Sequence, residues 1–236
     1  MRILAIAAHP DDVEWQCGGT LALCKERGDE IIIAVATNGN VGTGDPLITR
    51  EMIAATRHEE AKASAAILGA HLIWMDFDDE FLTDNRETRE RFIDAIREAR
   101  PDVMFIHSVL DHHPDHRLAG SIARDARIPA SVPLVVTNFP PTAIPTVFEM
   151  DTELGNHFEP EFYVDVTRVM ETKTAMLSSH KSQAAWMMHV FGTEFTENML
   201  IQGRFRGAQA CTQYAEGFKL LHDWPYTGDA RLLPSK

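Results

Sequence analysis

Ile3-Leu4-Ala5-Ile6-Ala7-Ala8-His9-Pro10-Asp11-Asp12-Val13-Glu14 runs six apolar residues without a break into a histidine, a proline and two adjacent aspartates. An apolar run of that kind reads as a strand buried on both faces, as strands are in parallel sheets covered by helices. Its polar end then lies at the rim of the core, and in open parallel sheets that rim is where ligands bind.

The same pattern recurs down the chain. Residues 31–36, 71–75 and 103–107 are further apolar runs. Between them lie helical stretches: one from about 18 to Arg27-Gly28, an alanine-rich one over 49–68 with Gly69 as its stop, and a charged one over 87–100 ending before Pro101. Parallel strands need crossover connections, which are nearly always right-handed. The alternation therefore predicts an α/β, Rossmann-like, doubly wound and mainly parallel sheet, of order near 3-2-1-4-5, with helices on both faces. Prolines crowd residues 129–145, and 129–166 reads as irregular loop with short strands near 134–136, 146–150 and 162–166. Helices are expected again over 167–182 and 193–222. No linker or repeat divides the chain, so one domain is expected: a core over 1–128, a substrate-side segment over 129–166 and C-terminal helices over 167–236.

With 236 residues, 44% of them apolar, the chain can bury one large core. Its formal charge of −13, with no basic stripe, excludes nucleic acid and anionic membrane surfaces as partners. Three cysteines cannot form a paired framework and read as small buried apolar side chains. The opening apolar run is too short for a signal sequence or a membrane span, so the expected location is the cytoplasm.

Histidines and carboxylates concentrate directly after the first strand and directly after the fourth, in Asp111-His112-His113-Pro114-Asp115-His116. In the order 3-2-1-4-5 those two strands are neighbours at the point where the winding reverses. Topology thus brings His9, Asp11, Asp12, His113 and His116 together. Two imidazoles and a carboxylate with an open fourth position suit catalytic zinc, and His9, Asp12 and His116 are the expected ligands. Asp11 and Asp12, adjacent in an extended loop, would point to different sides, leaving Asp11 to accept a proton from water. His113 is placed to stabilise an oxyanion or protonate a leaving nitrogen, and Asp115 to orient an imidazole. Taken alone, Asp11-Asp12 is also what a helix N-cap looks like, and His112 reads as a loop residue.

These residues resemble the LmbE-like, or PIG-L, family of zinc-dependent N-deacetylases. The resemblance rests on residues 8–14 with Gly18-Gly19-Thr20, on Arg57-His58-Glu59-Glu60-Ala61, on Arg100-Pro101-Asp102 and on His113-Pro114-Asp115-His116. Further along, His180-Lys181-Ser182-Gln183 and Tyr214-Ala215-Glu216-Gly217-Phe218 look like the family's helix end and closing helix. The resemblance implies the roles above, one catalytic zinc ion for which other divalent transition metals can substitute, and a Rossmann-like fold. It adds Arg57, Asp78 and His180 as substrate-binding residues, although Asp79 stands after Asp78 where the family usually has glycine. The implied substrate is an N-acetylglucosamine-type amino sugar or conjugate, cut to acetate and an amine; family members are often homo-oligomers. A hydrolase of another amide or ester is the first alternative, and a non-catalytic sugar- or nucleotide-binding module the second. The segment 129–166 is the expected wall of the substrate pocket, with Phe139, Phe148, Phe158, Phe162 and Tyr163 either stacking on sugar or packing in the core.

Overall fold

A computed structural model describes residues 1–225 and 228–234. Five strands run parallel: β1 (Arg2–Ala7), β2 (Glu30–Thr37), β3 (His71–Phe77), β4 (Val103–Ile106) and β5 (Thr146–Met150). Two more, β6 (Phe162–Asp165) and β7 (Ala215–Leu220), pair antiparallel and complete a sheet of order β3-β2-β1-β4-β5-β7-β6. The parallel part has the order expected from the alternation of strands and helices.

Successive side chains of a strand point to opposite faces, so a strand buried on both sides feeds two cores. Ile3, Ala5 and Ala7 of β1 belong to one core, whose helices are α2 (Gly18–Glu26), α3 (Arg50–Leu68), α6 (Met170–Leu177) and α8 (Phe195–Gln209). Leu4, Ile6 and Ala8 belong to the other, under α4 (Arg86–Ala99) and α5 (Pro114–Ala126). The helices begin and end where local chemistry dictates. Thr49 accepts from the Met52 amide at the start of α3, Asn85 does the same for Thr88 in α4, and Gly69 closes α3 at φ +57°.

Four expectations need correction. Residues 134–136 form a turn, with Leu134 92% and Val136 83% exposed. The reason lies in buried Arg97, whose guanidinium binds the carbonyls of Pro129, Ala130, Val132 and Phe139 and the hydroxyl of Thr137, drawing the segment around itself rather than into the sheet. Strand β3 continues through Asp76 and Phe77, which read as loop. The helix expected over 167–182 stops at Leu177, and a separate helix, α7 (Lys181–Phe191), begins after His180.

The helix expected over 193–222 ends at Gln209, and Tyr214-Ala215-Glu216-Gly217-Phe218 is strand, not helix. The chain reverses over α8 through Cys211 at φ +55°, passing so close to Gly207 that a Cβ there would lie 2.6 Å from the Gln213 carbonyl oxygen. What holds β7 in place is a buried polar link. Glu216 accepts from the amides of Gly19 and Thr20 at 2.8 and 2.7 Å, caps α2 from outside, and pairs with Lys173 at 2.5 Å. Among the described residues no helix is long and apolar enough to cross a membrane.

Candidate metal centre and its pocket

The backbone first divides the two aspartates. Asp11 has φ +106°, a conformation that L-residues rarely adopt, and Asp12 opens a short helix, α1 (Asp12–Gln16). The pair is therefore not in an extended loop. Asp11 occupies the N-cap position without a side-chain cap bond, and the twist at this residue separates the two carboxylates.

Asp12 turns toward the strand ends. Its Oδ2 accepts from the His9 amide at 2.6 Å and lies 3.1 Å from His107 Nε2, while its Oδ1 faces His116 Nε2 at 3.2 Å. His9 Nδ1 is 3.1 Å from His116 Nε2 and 3.5 Å from Asp12 Oδ2. A carboxylate stands behind each imidazole: Asp79 at 2.9 Å and Asp115 at 3.5 Å from His9 Nε2, Asp111 at 3.1 Å from His116 Nδ1. His9, Asp12 and His116 are thus brought together with their inward donor atoms facing one another. Two ring nitrogens opposed at this distance beside a carboxylate, their far sides fixed, fit a divalent cation. Taking one donor atom from each residue, the sets close enough to hold an ion are His9 with His113 and His116, Asp12 with His107 and His116, and His9 with Asp79 and Asp115.

The local charge reflects this arrangement. Burial disfavours the charged form of Asp12, but His116 and His107 overcome it and hold its carboxyl well below the usual range. Burial likewise opposes His116⁺, yet Asp12 and Asp111 push that imidazole up to about 10, and Asp115, Asp12 and Asp79 raise His9 in the same way. Asp11 behaves differently. Burial raises its carboxyl to about 7 although Arg57 pulls it down. His113 is lowered by burial and by His9 and His116, which keeps it neutral. Its Nδ1 accepts from the Asp115 amide at 3.2 Å, which puts the ring proton on Nε2, 3.2 Å from Glu80 Oε1 at the cavity edge.

The remaining expected contacts fall differently. Arg57 lines the cavity but is only 3% exposed, and its Nη2 donates to the Pro10 carbonyl at 2.7 Å and Asp11 Oδ2 at 3.1 Å. Asp78 is exposed and outside the cavity; it accepts from Asn40 Nδ2 at 2.6 Å, and Asn40 Oδ1 in turn accepts from the Asp79 amide at 3.2 Å. Asp79 is the aspartate that lines the site. His180 is fully buried, 3.1 Å from Glu14 Oε1, and does not line the cavity. Reading by residue type missed His107, Asp79, Asp111 and Glu80. His107 carried a signal, since it follows the fourth strand much as His9 follows the first.

The cavity measures about 540 Å³, within the ~300–1,000 Å³ of small-molecule sites. Of the segment 129–166, Glu153 and Leu154 reach it, while Phe148 and Phe158 pack in the core. The opposite wall comes from α7 and the start of α8, with Trp186, Met187, Phe191 and Phe195.

A doubly wound sheet with imidazole and carboxylate donors gathered at its switch point defines an α/β enzyme class with a metal centre at the strand ends. This chain belongs to the PIG-L family, described as GlcNAc-PI de-N-acetylase, which matches residues 4–127. Diacetylchitobiose deacetylase of Thermococcus kodakarensis is 29% identical over 229 residues, 93% of this chain and 83% of that protein. The structure of N,N'-diacetylchitobiose deacetylase from Pyrococcus horikoshii matches with a TM-score of 0.80 and 27% identity, covering 95% of this chain and 87% of the other. That of a 4-carboxy-2-hydroxymuconate hydratase from Pseudomonas putida matches with a TM-score of 0.82 and 25% identity, covering 98% and 100%.

Proposed function

We propose that this protein is a metal-dependent N-deacetylase that cuts the acetamide of an N-acetylglucosamine-type amino sugar or its conjugate, releasing acetate and a free amine. The observation that carries the reading is the division of the adjacent aspartates: Asp12 faces the imidazole donors, and Asp11 faces the cavity with its Oδ2 held by Arg57. His9, Asp12 and His116 would hold the metal, zinc by the chemistry of the donor set. When bound, such an ion polarises a carbonyl and lowers the pKa of a water to ~7.

The chain's own groups then divide the work. Asp11, positioned by Arg57, takes a proton from the attacking water. His113 presents Nε2–H to the oxygen that becomes negative as water adds to the carbonyl. Asp11 returns its proton to the departing nitrogen, so the C–N bond breaks with a neutral amine leaving. Asp79, Asp115 and Asp111 keep the two imidazoles turned inward throughout.

The hydratase relative supports a second reading, addition of water to a carbon–carbon double bond, since that reaction also begins by taking a proton from water. Two assays on zinc-loaded protein separate them: acetate release from N-acetylglucosamine and its β-linked dimer, and loss of ultraviolet absorbance from an unsaturated dicarboxylate. Acetate release with no hydration is the expected result. Hydration without acetate release would overturn the deacetylase assignment.

A further inference from the structure

Arg57 is held at its site by less hydrogen bonding than its position requires. Of its three guanidinium nitrogens only Nη2 is bonded, to the Pro10 carbonyl and to Asp11 Oδ2. Nε is buried with no partner among the described residues, and Nη1 stands 3.9 Å from Asp79 Oδ2, beyond hydrogen-bond length. A guanidinium pinned through one nitrogen can pivot about it, and a pivot would release Asp11. Packing has to supply the remaining constraint.

That packing is backbone. Between β2 and α3 the chain makes a tight turn over Gly39-Asn40-Val41-Gly42, closed by the Gly42 amide donating to the Gly39 carbonyl at 3.1 Å, with Gly39 at φ +66°. The turn lies directly against the guanidinium. A Cβ at Gly39 would fall 2.6 Å from Arg57 Cδ, Nε and Nη1, and a Cβ at Gly42 would fall 2.5 Å from Nη1 and 3.3 Å from Gln183 Oε1. Non-bonded carbon and nitrogen do not approach so closely, so only glycine at these two positions leaves the arginine its place.

The turn is itself braced. Asn38 Oδ1 accepts from the Asn40 amide at 3.1 Å, and Asn38 Nδ2 donates to Asp76 at 3.1 Å. Asn40 Nδ2 donates to Asp78 at 2.6 Å, and Asn40 Oδ1 accepts from the Asp79 amide at 3.2 Å. Both asparagines are buried, so the glycine backbone is tied to the loop that carries Asp79 and does not lift away from Arg57.

We infer that the turn over residues 39–42 is the positioning element for Arg57: its bare backbone stops the guanidinium from pivoting and so fixes where Asp11 Oδ2 stands. The inference rests on Asp11 being the group that takes a proton from water, and it adds what holds that group in place. Gly39 and Gly42 act through Arg57 and not on the reacting atoms.

Gly42→Ala in zinc-loaded protein is the test, because Gly42 does not have a positive φ. The added methyl meets the end of a side chain and not backbone, so the guanidinium should yield while the fold stays. Thermal unfolding and zinc content should remain native, and turnover should fall about 10–100-fold, in kcat rather than in KM. In an Arg57→Lys background no forked end is left to displace, and the same substitution should change kcat by less than about twofold. Gly44→Ala, whose methyl would meet His189 Cδ2 at 2.8 Å on the same loop, should keep native kcat. A crystal structure of Gly42→Ala should show Arg57 Nη2 out of hydrogen-bond reach of Asp11. Native turnover in Gly42→Ala, equal losses in the two backgrounds, an early-melting chain or an unmoved Arg57 would each overturn the inference. Turnover is read as acetate release or, should the native protein hydrate the unsaturated dicarboxylate instead, as hydration, since both reactions begin with a proton taken from water. A native protein that frees no acetate refutes the deacetylase reading alone, and the position of Arg57 in the variant still decides this one.

Discussion

At the scale of single residues, Asp11 and Asp12 show how one peptide unit yields two chemistries. The positive φ at Asp11 sends one carboxylate to the cavity and the other to the imidazoles; burial raises both proton affinities, but His116 and His107 overcome it at Asp12 and hold that carboxyl low. Asp11→Asn should lower kcat by about 10²–10⁴ while zinc content, measured by elemental analysis, stays at the native level. Near-native turnover would remove Asp11 from the mechanism. Asp111→Asn acts through His116, whose Nδ1 loses its carboxylate. It should weaken zinc binding about 10–100-fold in a chelator competition, with kcat recovering at saturating zinc. The donor types were legible in the sequence because they lie at strand ends that the topology makes adjacent. Asp79 and His180 were not placed correctly, since which of two neighbouring aspartates turns inward, and whether a histidine stops short of a cavity, depends on backbone torsions and on packing partners far along the chain.

At the scale of elements, local signals decided what could be read. Helix α3 carries Thr49 and Gly69 at its ends and was legible throughout. The break between α6 and α7 and the turn into β7 lack glycine and proline, the latter using Cys211 at positive φ instead. Strand β7 also buries Glu216, so its alternation does not look apolar. Removing that carboxylate by Glu216→Ala leaves Lys173 buried without its partner and two α2 amides unmet. Urea unfolding should show a loss of about 3–5 kcal/mol. The turn from α2 to β2 offers a pH-dependent counterpart. Burial would raise the Asp29 carboxyl, but the N-terminal ammonium and Arg27 outweigh it and hold it below the usual range. Its stabilisation is complete above the unfolded value of about 3.9 and fades as pH falls through the lower native value. Asp29→Asn should therefore cost up to about 1 kcal/mol at pH 7 and almost nothing at pH 2, by thermal unfolding at each pH.

At the scale of the whole molecule, the doubly wound core was legible because buried parallel strands advertise themselves as unbroken apolar runs. Of the antiparallel extension, β6 was legible as a short strand, whereas β7, which buries Glu216, read as helix. The proposed metal donors come from the end of β1, the start of α1 and from α5, so an ion held by them would tie the centre of the sheet to both layers. Adding zinc to stripped protein at about 100 times its Kd should stabilise the fold by about 2.7 kcal/mol. For a chain of this size that is a rise in Tm of about 5–11 °C by calorimetry, reversed by a chelator. An unchanged Tm would count against a metal centre in the native state.

The placing of β7 between β5 and β6 also bears on how the protein is made. A ribosome delivers the chain from its first residue at about 5–20 residues per second, and segments begin to fold as they emerge. Residues up to Met150 can assemble the five parallel strands at once, but β6 emerges with no neighbour to pair with. Its partner β7 follows only about 50 residues later, a delay of roughly 3–10 s at that rate. Until then the outer edge of β5 remains open to strands of other nascent chains. Truncation before Ala215 would leave that edge permanently unpaired, making synthesis rather than the finished enzyme the stage most exposed to aggregation.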